Sequence, residues 1–151
     1  MQSLIGNIDA RVDAKGRAFL PAQFRKQLAD CKSFVLRKDL FCDCLKLYPE
    51  STWDSMVEQL RRSLNSWNRA QAQVFRQFVS EADRIELEDN GRMLIPRRHI
   101  ESLSIKSDIR FVGADRAIEI WPAGKIEETF ADPDSFAKEI ESLMKERTLP
   151  E

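Results

Sequence analysis

Twice in this chain an acid and an arginine stand four residues apart around a glycine, and this is the pattern with chemistry in it. The first copy is Asp13-Ala14-Lys15-Gly16-Arg17-Ala18-Phe19-Leu20-Pro21 and the second is Glu88-Asp89-Asn90-Gly91-Arg92-Met93-Leu94-Ile95-Pro96. In each, the glycine supplies the positive φ of a tight turn, between an incoming strand and a short apolar strand that proline stops. A carboxylate at the start of such a turn accepts its free N–H groups and pairs with the arginine, so the guanidinium has a set direction. Arg17 and Arg92 become cations on rigid tips, with Asp13, Gly16, Glu88 and Gly91 supporting the turns. One copy alone is also what an ordinary salt-bridged turn looks like. Recurrence argues for a shared task.

Other chemistries find few residues. The single histidine, His99, adjoins Arg97 and Arg98 in a predicted helix and reads as a surface residue; no Ser, Cys or His sits in a nucleophile motif, so no catalytic residue is assigned and no enzyme is expected. Cys31, Cys42 and Cys44 are odd in number. On a strand Cys42 and Cys44 would share one face with poor geometry for a mutual disulfide. A Cys3His zinc site would lack the usual paired ligand spacing. The thiols therefore read as small core residues, with no metal, cofactor or small-molecule substrate expected.

The elements that position the two motifs follow from composition and patterning. The chain has 151 residues, 42% apolar and 32% charged, with 5 Gly and 6 Pro, which suits one ordinary domain or two small, mutually dependent ones. No run of about 18 apolar residues is present, and Met1-Gln2-Ser3-Leu4-Ile5-Gly6-Asn7 lacks the flanks of a signal peptide, so a cytoplasmic protein without membrane contact is expected. The formal net charge of −1 speaks against a nucleic-acid partner until its distribution is considered. Residues 1–30 hold five basic against three acidic residues, net +2; residues 61–81 are net +3, and residues 131–151 are net −3. An oligomer could multiply two such basic regions.

Along the chain, Ile8, Ala10 and Val12 alternate with Asn7, Asp9 and Arg11, which predicts a strand over 6–12. Residues 18–20 form the return strand, Pro21 opens a short helix with Phe24 and Leu28 on one face, and strands are expected over 33–37 and 43–48. Ser51 or Thr52 is read as capping a helix whose buried face is Trp53, Met56, Val57, Leu60 and Leu64. A second helix over 69–80 pairs with it antiparallel, and the basic residues of this pair read as a solvated face.

The second half then repeats the first. Gly16 and Gly91, Arg17 and Arg92, and Pro21 and Pro96 are each 75 positions apart, and Tyr48-Pro49 matches Trp121-Pro122 at 73. The spacing predicts strands over 84–87, 93–95, 109–113 and 117–121, a short helix over 97–102 and a helix over 123–130. The chain is thus α+β, with two tandem βαββα-type units at 5–50 and 82–130, a helical connection at 51–81 and an acidic helical tail at 131–151. Each unit, about 45 residues, is too small for a core of its own. Interleaving the two hairpins into one β-barrel with flanking helices would bury both apolar faces and cover the strand edges. In the tail, Ser135 is read as a helix cap ahead of a stripe of Phe136, Ile140, Leu143 and Met144, which would dock on a neighbour or on the body.

The series Asp13-Ala14-Lys15-Gly16-Arg17, Leu45-Lys46-Leu47-Tyr48-Pro49 followed by Trp53, Asp89-Asn90-Gly91-Arg92, Phe111-Val112-Gly113 and Ile118-Glu119-Ile120-Trp121 resembles the MraZ family of bacterial transcriptional regulators. The match spans about residues 5–130. The resemblance implies tandem AbrB-like swapped-hairpin units in a pseudo-twofold barrel. It also implies a nucleoid-associated ring homo-oligomer that binds double-stranded DNA at promoter repeats of the cell-division and cell-wall gene cluster. Its DNA-contacting acid and arginine fall on Asp13 and Arg17, with Lys15 and Gly16 between, and on Glu88 and Arg92 in the second copy. Arg17 suits guanine, whereas Lys15 and Arg11 suit phosphates. Glu88 replaces the expected Asp, and Asn90 stands where Lys15 does. Glu caps a turn less well than Asp, so Arg92 is expected to be held less firmly and its copy to be the more structural one. Val79-Ser80-Glu81-Ala82 stands where many members carry Gly-His-Ala. The alternative is an oligomeric scaffold or interaction protein whose turns are salt bridges only.

Overall fold

The computed structural model describes residues 3–148; Met1, Gln2 and residues 149–151, to which the readings of the chain's start and of the acidic tail extend, lie outside them. The elements are β1 (Asn7–Arg11), β2 (Arg17–Phe19), α1 (Ala22–Gln27), β3 (Ser33–Lys38), β4 (Leu45–Pro49), α2 (Glu50–Ser63), α3 (Arg69–Ser80), β5 (Asp83–Glu86), β6 (Arg92–Leu94), α4 (Arg97–Ser102), β7 (Asp108–Ala114), β8 (Ala117–Pro122) and α5 (Pro133–Thr148). The predicted strands, the two motif turns and the short helices α1 and α4 are all present. No helix among the described residues is long and apolar enough to cross a membrane.

Pairing runs across the two halves. Six antiparallel strands lie in the order β1-β7-β8-β4-β3-β5, and β2 pairs with β6 in a separate two-stranded ribbon. Exchanging each strand with its equivalent in the other half reverses this order onto itself, which is the pseudo-twofold relation that the repeat predicts. Each half's first strand is paired with the third strand of the other: Ile8 faces Phe111 across β1–β7, and Ile85 faces Phe34 across β5–β3.

Alternation along the strands decides which side is core. Phe34 and Leu36 of β3, Leu45 and Leu47 of β4, Ile109 and Phe111 of β7, and Ile118 and Ile120 of β8 all point to one face. There they meet Val12, which follows β1, and Ala18, Leu20, Phe24, Met93 and Ile95 from the ribbon, the residues just after its strands and α1. Deleting a fully buried leucine here, such as Leu47, costs about 2–5 kcal/mol. The other face carries Trp53 of α2, and a satellite of Cys44, Trp121 and Ile126. Trp53 stacks on Phe78 of α3 at 5.1 Å, and buried Arg37 ties β3 to α3 by donating from Nε to the Phe78 carbonyl at 3.0 Å. Early α2 thus meets late α3, while Arg61 lies over the Phe75 ring, consistent with the antiparallel pair.

The structure corrects several expectations. No closed barrel forms among the described residues: β1 and β5 are edges of an open sheet, and the strand after each turn leaves its predecessor to pair with the other half's equivalent. The ribbon, not barrel closure, is what covers the core's remaining side. Residues 123–130 make only a 3-10 turn, Ile126–Thr129, because Gly124 at φ +79 breaks the helical run. Pro49, not Ser51 or Thr52, precedes α2, since proline's fixed φ suits the helix entrance; Asp132, not Ser135, caps α5, its carboxylate accepting the Ser135 N–H at 3.0 Å. Cys42 lies outside any strand and is exposed, leaving only Cys44 fully buried. His99 is buried, not superficial: α4 turns it inward, where its Nε2 lies 2.8 Å from Asp83 Oδ2. The α2–α3 stripe is only partly covered, with Val74 exposed, because this pair has just one sheet face to lie against.

Candidate nucleic-acid interface

The first turn is organised by one carboxylate. Asp13 and Arg17 close it, the Asp13 N–H donating to the Arg17 carbonyl at 2.9 Å and the Gly16 N–H to the Asp13 carbonyl at 3.0 Å. Asp13 Oδ1 accepts the N–H groups of Lys15 and Arg17, both at 2.9 Å, and Oδ2 accepts from Arg17 Nε at 3.0 Å. The Arg17 N–H, aided by the Lys15 N–H and the guanidinium, holds the Asp13 carboxyl below the usual range against the opposing effect of desolvation. Neither Nη atom of Arg17 has a protein partner among the described residues. Lys15, exposed at the tip, makes no ion pair among them.

The second turn divides the same work between two side chains. The Glu88 N–H donates to the Arg92 carbonyl at 2.9 Å and the Gly91 N–H to the Glu88 carbonyl at 2.8 Å. Asn90 Oδ1 accepts the Arg92 N–H at 3.1 Å, freeing the Glu88 carboxylate to take Arg92 at both ends, Nε at 2.8 Å and Nη2 at 3.2 Å. That pairing holds the Glu88 carboxyl low and raises Arg92. The extra methylene therefore does not loosen Arg92, as the sequence suggests it would; Glu88 reaches far enough for a two-pronged grip. Asp89 beside it is neutralised by Lys32 at 2.6 Å.

Each turn is anchored on the other half. The Ile95 N–H donates to the Gly16 carbonyl at 2.7 Å, and the Leu20 N–H to the Gly91 carbonyl at 2.9 Å. Gly16 has φ +89, and a Cβ there would lie 2.7 Å from the Ile95 carbonyl oxygen; Gly91 has φ +87, and a Cβ there would lie 2.7 Å from Arg25 Nε. Both sites need glycine for conformation and for room.

The ribbon register, Arg17 with Leu94, Ala18 with Met93 and Phe19 with Arg92, brings Arg17 and Arg92 to one outer face. Arg11 stands apart on β1, where Asp108 across the β1–β7 pair holds its Nε at 3.2 Å. The sequence reading missed Asn90 as a turn-supporting side chain, and it missed Phe19 and Leu94, which are exposed on this same face. Period-two alternation from Arg17 and from Arg92 is the signal that finds them. Among the described residues no group of three or more His, Cys, Asp or Glu is placed to hold a metal ion.

Comparison with known proteins gives the family. A family model described as "MraZ protein, putative antitoxin-like" matches in two tandem segments, residues 4–76 and 78–146. A protein of Bacteroides fragilis named transcriptional regulator MraZ is 47% identical over 148 residues, covering 97% of this chain and 94% of its own. A Phocaeicola vulgatus protein of the same name is 48% identical over 142 residues, covering 93% and 92%, and one from Clostridium acetobutylicum is 34% identical over 142 residues, covering 92% and 97%. The name is that of a regulator and not of an enzyme. Two tandem matches, laid over two interlocked halves with one motif turn each, place this chain in the MraZ family.

Proposed function

We propose that this chain is a sequence-specific, DNA-binding regulator of transcription that grips the duplex through the outer face of the β2–β6 ribbon, led by the first turn. The observation that carries the reading is the unengaged end of Arg17, whose Nε alone is bonded to Asp13 at 3.0 Å while the tip around it is exposed. A guanidinium held this way can bond O6 and N7 of a guanine, and a two-stranded ribbon fits a major groove about 12 Å wide. Lys15 and Arg11 then meet flanking phosphates. Arg92, gripped twice by Glu88 beside the Lys32–Asp89 pair, has less donor capacity to offer, so the second turn acts chiefly as frame.

One copy with a net charge of −1 makes few such contacts, so we infer that several copies act together. The finer reading is a ring homo-oligomer on promoter repeats of the cell-division and cell-wall gene cluster, cytoplasmic and nucleoid-associated. It is built from units at 5–50 and 82–130, with the connection at 51–81 and the tail at 131–151. The exchange of β1 and β5 between halves supports the swapped-hairpin description of these units.

The test is Arg17→Ala in a gel-shift series on the DNA upstream of the protein's own gene. Losing a bidentate guanine contact costs about 1–3 kcal/mol per site, multiplied across bound copies, so specific binding is expected to vanish while the assembled mass is unchanged. Arg92→Ala is expected to weaken binding less. Parental affinity in Arg17→Ala sinks the assignment, and absence of any binding by the parent at low salt leaves the oligomeric scaffold as the reading.

A further inference from the structure

The outer face of the ribbon carries more than cations. Phe19 and Leu94 are 55% and 56% exposed there, whereas Ala18 and Met93, facing inward between them, are 2% and 1% exposed. The two apolar residues are 75 positions apart, so they occupy the same slot in each half. Single exposed apolar side chains need no explanation. Two at equivalent slots, each directly across from a motif arginine, form a built pattern: Leu94 opposite Arg17, and Phe19 opposite Arg92. Neighbours on one face of such a pair lie about 4.5–8 Å apart, near the spacing of one or two base pairs.

We infer that Phe19 and Leu94 recognise thymine, packing on the 5-methyl groups that are the apolar feature of base edges in the major groove, while Arg17 takes a nearby guanine. This rests on the reading that the ribbon face meets duplex DNA. Charge complementarity decides for DNA over a second copy of this chain. Arg17 is bonded to Asp13 through Nε alone, so its two Nη atoms remain on this face as donors that base edges and phosphates accept. The site thus couples an apolar reader to a cationic one, and the specificity it predicts is for mixed guanine and thymine sequence, not for guanine alone.

The experiment compares two duplexes of the DNA upstream of the protein's own gene, one synthesised with thymine and the other with uracil at every thymine position, which removes the 5-methyl groups and leaves the pairing intact. The full-length protein is expected to bind the uracil duplex about fourfold more weakly per contacted methyl. Phe19→Ala and Leu94→Ala are each expected to lose part of the discrimination, and the double variant to bind both duplexes with close to the affinity that the parent shows for the uracil one. Equal binding of both duplexes by the parent overturns the inference and leaves the DNA reading standing. So does undiminished discrimination in the double variant, or a fall in its assembled mass by light scattering, which would assign the patch to contacts between copies. Binding of neither duplex by the parent at low salt overturns the DNA reading and this inference with it.

Discussion

Asp13 satisfies two backbone N–H groups and a guanidinium at once, and that economy makes it the most sensitive residue of the site. Its carboxyl and that of Glu88 lie below their ordinary values of 3.8 and 4.5 in the folded chain. A carboxylate lowered by folding stabilises fully above its unfolded value, and that contribution is lost as pH falls through the folded one. Urea midpoints are therefore expected to drop as pH falls below these ordinary values, and Asp13→Asn to show a shallower drop; an identical slope in parent and variant would remove Asp13 from the acid response. The glycines differ in a way that can be measured. Gly16→Ala drives its Cβ against the Ile95 carbonyl oxygen, which cannot yield, whereas Gly91→Ala meets the Arg25 side chain, which can swing aside. Both carry the strain of positive φ, so losses of about 1–3 kcal/mol are expected, with Gly16→Ala the larger in urea denaturation. Much of this scale was legible: acid, glycine and arginine in fixed order announce their own turn. His99 was not, because its burial depends on Asp83, an acid 16 residues earlier that only the tertiary fold brings to it. Nor was the grip of Glu88, which depends on Asn90 taking over the backbone bond.

Among the elements, the short strands matter because none is completed within its own half. In a fragment of residues 1–81, β1 loses β7, β2 loses β6, β3 loses β5 and β4 loses β8, so all four of its strands lack a partner. Such a fragment is expected to show no cooperative melt as a monomer, and any folding should depend on concentration, because only a second copy can supply the missing strands. A monomeric fragment with a sharp, concentration-independent transition in circular dichroism would contradict this. Strand positions were readable from period-two alternation and the duplication, which places each element twice. Partner choice was not, since β1 followed by a turn and β2 looks like a hairpin in any local window. What redirects β2 is its anchoring on the far half, through Ile95 to Gly16 and Leu20 to Gly91. The helix expected over 123–130 failed for a plainer reason: Gly124 adopts positive φ with open space around it, and a helix cannot propagate through such a residue.

For the molecule as a whole, α5 is the outlying feature. Phe136, Ile140 and Leu143 recur on one stripe of it, yet they are 59%, 46% and 49% exposed, so α5 does not lie down on the body. Deleting residues 132–151 is accordingly expected to leave the near-ultraviolet circular dichroism of the core unchanged while lowering the assembled mass in light scattering; an undiminished mass would take α5 out of the assembly. The pseudo-twofold order of the sheet reaches further than stability. A reader made of two identical chains is bound to its own symmetry and asks for a palindrome. Here both halves belong to one polypeptide, so each has been free to drift: Asp13 and Lys15 stand on one side, Glu88 and Asn90 on the other. Such a reader has a head and a tail. If the ribbon face reads DNA as proposed, its preferred sites carry an arrow, and inverting one of them is expected to matter as much as deleting it.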